Sequence, residues 1–236
     1  MAKFTRVLLK LSGEYLGGKC GIGFDFDIVT ELSRQIGNLH DMGLEIGIVL
    51  GGGNFFRGAN SLPVKFDRVA GDRIGMMATS MNSVCLKQCL ANCGKKTTIM
   101  TGLEIPDIGE KFSKEKALEK LRCGHILIFS GGTGSPYFST DTAAVLRGLE
   151  IEADLVIKGT KVDGVYDKDP VVCPSAKKFD RLRYSEVLDK GLRVMDATAI
   201  ALCRENGMPL AVLNISKKND LLDFMEGKKV GTVVGF

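Results

Sequence analysis

Val7-Leu8-Leu9-Lys10-Leu11 runs directly into Ser12-Gly13, and three later stretches repeat the arrangement. Ile46–Leu50 meets Gly51-Gly52-Gly53-Asn54, Ile126–Phe129 meets Ser130-Gly131-Gly132-Thr133-Gly134, and Leu155–Ile157 meets Lys158-Gly159-Thr160. Short apolar runs that stop at glycine read as buried parallel strands, each ending in a turn. Glycine turns at the carboxyl ends of such strands let backbone N–H groups close around an anion, in the crevice where open α/β sheets bind ligands. Four turns with Lys10, Arg57, Lys158 and Lys161 in or beside them point to a site that holds several phosphates at once.

Between the strands the apolar spacing changes to that of helices. Asp25 and Asp27 precede Ile28, Leu32, Ile36 and Leu39, a three-to-four spacing with acidic capping that ends near Gly43. Arg68–Cys93 reads as a long, mostly buried helix, Lys96–Met100 as a strand and Ser113–Arg122 as a charged helix. A helix from Thr140 or Asp141 to Glu152 follows the third glycine turn. Helices near Tyr184–Lys190 and Asp196–Glu205 and a strand at Pro209–Asn214 continue the rhythm. Strict alternation predicts a three-layer α/β/α sandwich with a mostly parallel sheet and right-handed crossovers, as one domain over residues 1–236. Asp167–Lys178, with two prolines and several lysines, reads as a long mobile loop.

Composition narrows the function classes. The 236 residues are 44% hydrophobic and 25% charged, which excludes disorder as the main reading. No apolar run is long enough to span a bilayer and no signal-peptide layout opens the chain, so a cytoplasmic protein with no membrane association is expected. The net charge of +4 is modest and the lysines are dispersed, which argues against nucleic acid as a partner. Seven cysteines without a secreted context argue against a disulfide framework; Cys85, Cys89 and Cys93 share one helix face and read as a thiol stripe, with no metal site expected. Gly13-x-x-x-x-Gly18-Lys19 fails as a P-loop because Cys20 stands where a magnesium-ligating hydroxyl is needed, and no strand is followed by G-x-G-x-x-G.

The remaining constellation is spread over several strand ends. Lys10 can reach a phosphoryl group, Gly51–Asn54 can form an anion nest, and Arg57 can grip phosphate oxygens. Asp72, inside an apolar helical run, can accept from ribose hydroxyls or pair with Arg68 or Arg73. Gly131–Thr142 concentrates glycines, threonines and serines with Asp141, which suits a planar polar ligand; Asp141 can cap its helix or orient lysines. Lys158–Pro170 supplies Lys158, Lys161, Asp163, Tyr166 and Asp169 as an adenosine-and-phosphate segment. Cations for phosphates, nests for oxygens and a carboxylate to order the cations are the parts of phosphoryl transfer.

Lys10-Leu11-Ser12-Gly13, Gly51–Gly58, Gly71-Asp72-Arg73, Gly132–Phe138 and Lys161–Tyr166, in this order, resemble the bacterial uridylate kinases of the amino-acid-kinase superfamily over essentially the whole chain. The resemblance implies the carbamate-kinase-like fold and transfer of the ATP γ-phosphoryl group to UMP with Mg2+ bound to ATP. It also implies a homohexamer built as a trimer of dimers, and raises GTP or UTP as an effector of that oligomer. Its N-terminal part would serve mainly UMP binding and oligomerisation, its C-terminal part ATP. By matching positions, Lys10, Leu11, Ser12, Gly13, Gly53, Arg57, Thr160, Tyr166 and Asp169 would bind ATP. Gly52, Asp72 and Thr133, Gly134, Ser135, Pro136, Tyr137, Phe138, Ser139 and Thr140 would bind UMP. Lys10, Arg57, Asp141, Lys161 and Asp196 would carry the transfer. The rivals are a kinase of an amino acid or carbamate on the same fold, and a nucleotide sensor without turnover.

Overall fold

The computed structural model describes residues 4–58, 66–192 and 194–235. Strand β1 (Arg6–Leu11) alternates its side chains between two apolar layers, with Val7, Leu9 and Leu11 in one and Leu8 in the other. Ser12 starts a single helical turn, α1 (Gly13–Leu16). Helix α2 (Phe26–Asp41) follows, capped by the Asp25 carboxylate, which accepts from the Ile28 N–H. Strand β2 (Glu45–Leu50) leads through the triple glycine to α3 (Arg68–Asn92), where Asp67 caps the Ala70 N–H. Next come β3 (Thr97–Thr101), the short β4 (Glu110–Lys111), α4 (Lys114–Arg122), β5 (Ile126–Ser130) and α5 (Thr140–Glu150).

Strand β6 (Leu155–Thr160) opens the second half. It is followed by the short strands β7 (Val165–Tyr166), β8 (Lys178–Phe179) and β9 (Arg181–Leu182). Then come α6 (Tyr184–Asp189), α7 (Ala197–Asn206), β10 (Leu210–Asn214), α8 (Asp220–Met225) and β11 (Thr232–Val234). One nine-stranded sheet has the order β4-β3-β5-β2-β1-β6-β10-β11-β9. It is parallel from β4 to β10, and β11 pairs antiparallel with β10. Apolar side chains of α2, α3 and α8 pack on one face, and those of α4, α5, α6 and α7 on the other, which completes the three layers. No helix among the described residues is long and apolar enough to cross a membrane.

The order of the strands positions the site. β5 and β6 lie on opposite sides of the β1–β2 pair, so the connection carrying α5 crosses the middle of the sheet and brings its amino end over the carboxyl ends of β1 and β6. Such a reversal of direction opens a crevice in an α/β sheet.

Three local features differ from the sequence reading. Lys158, Gly159 and Thr160 continue β6 instead of forming a turn. A Cβ on Gly159 would meet Ile215 at 2.6 Å and Leu11 at 2.9 Å, so this glycine allows close packing and not a change of direction. The 167–178 segment is tied at its base by the antiparallel β7–β8 pair and by Asp167, whose carboxylate accepts from the Lys177 N–H at 2.7 Å. Strands β4, β9 and β11 and helix α8 are too short to show a periodicity and were not anticipated.

Candidate nucleotide and phosphoryl-transfer site

Lys10 and Lys158 are register partners on β1 and β6, so both side chains leave the same face of the sheet. They continue the row of Leu8 and Val156, one step beyond the apolar layer. Two ammonium groups on adjacent strands repel: unit charges about 4 Å apart interact by roughly 4 kcal/mol at an effective dielectric near 20. Asp141, in the first turn of α5, lies between them, 2.7 Å from the Lys10 Nζ and 2.9 Å from the Lys158 Nζ. All three side chains are mostly buried, at 12%, 13% and 18% exposure for Lys10, Asp141 and Lys158.

Only the Lys158 contact is well aligned. Lys158 donates to Asp141 Oδ2, whereas the Lys10 ammonium makes a close charge contact with Oδ1, a buried oxygen that has no geometrically sound hydrogen bond. Burial pushes the Asp141 carboxyl upward, but the two lysines outweigh it and hold the group below its ordinary 3.8. Burial, aided by the Lys10 charge, holds the Lys158 ammonium below its ordinary 10.5 despite Asp141.

Two cavities flank this cluster. One, of 330 Å³, is lined by Gly52, Arg57, Asp72, Thr133, Phe138, Ser139 and Thr140 among others. The glycine loop over it is held from α3: Thr79 Oγ1 accepts from the Gly131 N–H at 2.8 Å, and Ser80 and Ser130 share a hydrogen bond. Asp72 accepts from Arg68 Nε and from the Tyr137 N–H at 2.7 Å, so it clasps the loop to α3. Tyr137 adopts a left-handed φ of 72°, and its ring lies under the Arg68 guanidinium. Thr133 closes a tight turn with Ser135, next to Gly134 and Pro136.

The second cavity, of 460 Å³, is lined by Lys158, Thr160, Tyr166, Asp169, Leu192 and Val194 among others. Tyr166 donates to Asp163, Asp169 accepts from the Val171 N–H, and Thr160 donates to the Val162 carbonyl.

Between the cavities, the first two glycine turns press together. A Cβ on Gly13 would lie 2.5 Å from both the Gly51 carbonyl and Asn54 Oδ1, so the Ser12-Gly13 turn needs glycine for this approach. Leu11 is buried beneath it. Gly51–Asn54 is anchored by a reciprocal amide pair, Asn54 with Asn82, in which Asn82 also donates to the Gly51 carbonyl. Arg57 lies over this loop, 3.4 Å from Glu14, whose side chain covers Gly53.

The structure thus brings Lys10, Asp141, the glycine turns and Arg57 to one crevice, with Asp72 and Thr133–Thr140 on one side and Thr160, Tyr166 and Asp169 on the other. Asp196 lies at the amino end of α7, where its carboxylate caps the Ala199 N–H and accepts from Ser139 and Thr142. Lys161 is solvent-exposed and outside the lysine–aspartate cluster. Lys158 stands beside Asp141, and its signal was its place directly after the apolar run Leu155–Ile157, as Lys10 follows Val7–Leu9. Glu14, Thr79 and Asn82 went unremarked because they act through contacts distant in sequence. Among the described residues no group of three or more His, Cys, Asp or Glu side chains is arranged to hold a metal ion.

A carboxyl held below 3.8 contributes stability at higher pH and loses it as pH falls through its native value. Asp141→Asn should therefore be less stable than the parent at neutral pH, with the gap closing on acidification below 3.8. Urea unfolding of both proteins across this range checks it, and a gap independent of pH would contradict it.

The model of the amino acid kinase family matches residues 5–214. Uridylate kinase from Phocaeicola vulgatus is 47% identical over 234 residues, covering 99% of both chains, and that from Bacteroides thetaiotaomicron 48% with the same coverage. The crystal structure of UMP kinase from Bacillus anthracis superposes with a TM-score of 0.95 at 34% identity, covering 98% of this chain and 96% of its own. UMP kinase from Ureaplasma parvum gives 0.93 at 35% identity over the full length of both. The chain belongs to the amino acid kinase family, on its uridylate kinase branch.

Proposed function

We propose that the protein transfers the γ-phosphoryl group of ATP to UMP, giving ADP and UDP. The observation that carries this reading is the Lys10–Asp141–Lys158 cluster set between two cavities of nucleotide size. UMP takes the cavity of Asp72 and Thr133–Thr140, and ATP that of Thr160, Tyr166 and Asp169, so that their phosphates meet over Lys10 and Lys158. These three charged side chains sum to +1, two lysines less one aspartate. That charge faces the meeting point of two polyanions.

The chemistry needs little beyond this. A UMP phosphate oxygen attacks the γ-phosphorus, the bond from that phosphorus to the β–γ bridging oxygen breaks, and ADP leaves with the electron pair. The nucleophile is already an anion, so no general base is required; positioning and offset of charge supply the rate. Asp141 is held ionised and keeps both ammonium groups aimed at the transferring oxygens, which makes it an organiser and not a proton acceptor. Arg57, half exposed beside Glu14, is placed to exchange that carboxylate for phosphate oxygens. Asp141 is engaged by two lysines and offers no free carboxylate pair for a cation. We therefore assign Mg2+ to the ATP phosphates, as part of the substrate, where it offsets their charge.

The assembly and its setting belong to the same reading. Ile74, Met77, Met81 and Val84 of α3 are 41–49% exposed and recur at three- and four-residue intervals, an apolar seam that suits a second copy of the helix. We place the first contact of a homohexamer there, in a cytoplasmic enzyme of pyrimidine nucleotide synthesis. GTP or UTP acting on the oligomer would serve as an effector.

Purified protein supplied with MgATP should release ADP with UMP as acceptor and far less with CMP, dTMP, aspartate, acetylglutamate or carbamate. Binding of ATP and UMP without turnover would instead favour a sensor. Arg57→Ala and Asp141→Asn should each lower turnover by about tenfold or more, with the fold retained; full activity in either would remove that residue from the transfer. Met81→Glu should shift the assembly to smaller species by light scattering, and an unchanged mass would place the interface elsewhere.

A further inference from the structure

The Asp196 carboxylate is held by three donors from two elements: Ser139 Oγ and Thr142 Oγ1 from the start of α5, the latter at 3.0 Å, and the Ala199 N–H at 2.8 Å from its own helix α7. Ser139 is itself the cap of α5, accepting from the Asp141 and Thr142 N–H groups at 3.0 and 3.2 Å. Two helix caps are therefore hydrogen-bonded to each other. Two residues before Asp196, the Val194 carbonyl accepts from the Lys158 ammonium at 2.5 Å, the second contact of that lysine after Asp141. Ser139 and Thr140 line the 330 Å³ cavity, while Val194 and Lys158 line the 460 Å³ cavity. The junction spans the wall between them.

Thr142 is buried at 3% exposure, and its hydroxyl donates to the Asp196 carboxylate. Its partner is a carboxylate, and a hydrogen bond to a charged group is among the stronger kinds. Accepting this bond holds Asp196, and with it Val194, against α5. We propose that Thr142 is a positioning residue which, through Asp196 and the Val194 carbonyl, sets Lys158 and couples occupation of the acceptor cavity to the use of ATP. The acceptor loop ends at Ser139, so a nucleotide that orders this loop tightens the Ser139–Asp196 contact and steadies the second lysine on the donor side. Asp196 then acts through Lys158 and touches neither nucleotide.

This inference rests on the functional reading above. The test is steady-state kinetics together with binding of a fluorescent ATP analogue, with and without UMP, for the parent, Thr142→Val and Thr142→Ser. In the parent, UMP should tighten binding of the analogue. Thr142→Val should lower kcat by about tenfold while the KM for UMP stays near the parent value, and should abolish the effect of UMP on the analogue. Thr142→Ser, which keeps the hydroxyl, should restore both. Should Thr142→Val fail to fold, Asp196→Asn, which keeps the α7 cap, is expected to show the same split. Parental kcat and coupling in Thr142→Val, or a Thr142→Ser protein no better than the valine variant, would overturn this inference alone. A parent that forms no UDP would overturn it together with the functional reading.

Discussion

Two lysines held side by side on neighbouring parallel strands, with one buried carboxylate between them, are the constraint on which the rest depends. Lys10 and Lys158 share a register, and without Asp141 their mutual repulsion would push the ends of β1 and β6 apart or drive one side chain into solvent. Asp141 can reach both because α5, in the connection from β5 to β6, begins over the carboxyl ends of β1 and β6. The crossing in turn requires α5 to lie close against the strands. Ala143 and Ala144 are fully buried there, and a Cβ on Gly148 would meet Val156 at 2.9 Å. Small residues on the helix face thus set the height at which the carboxylate meets the lysines.

The same economy of space governs the glycine turns. Gly13, Gly51 and Gly52 bring the first two strand ends and α3 into contact, and the Asn54–Asn82 pair fixes the loop without adding charge. The cations therefore face a crevice built largely from backbone. Away from the buried cluster, the Arg57–Glu14 pair is a half-exposed contact that a ligand can replace at small cost.

Much of this was legible in the sequence, for physical reasons. Buried parallel strands are nearly uniform in hydrophobicity, and glycine at their ends is hard to mistake, so β1, β2 and β5 and their turns were found at once. The cap Asp25 announced its helix because an N-cap is a local device. Gly159 misled because a glycine within a strand, needed here for Ile215, looks the same as one that turns the chain. With it went the role of Lys158, read as a loop lysine beside Lys161. Glu14, Thr79 and Asn82 were beyond reach, because their partners lie far along the chain and only the folded sheet brings them together.

The measurement closest to the central claim is a crystal structure with a bisubstrate ligand, adenosine and uridine joined by a pentaphosphate. The account predicts adenosine beside Tyr166 and Leu192 and uridine beside Asp72 and Thr133. It also predicts a phosphate within hydrogen-bonding reach of both Lys10 and Lys158, with Asp141 still between them. A phosphate chain that bypassed either lysine, or that displaced Asp141 from the pair, would contradict it.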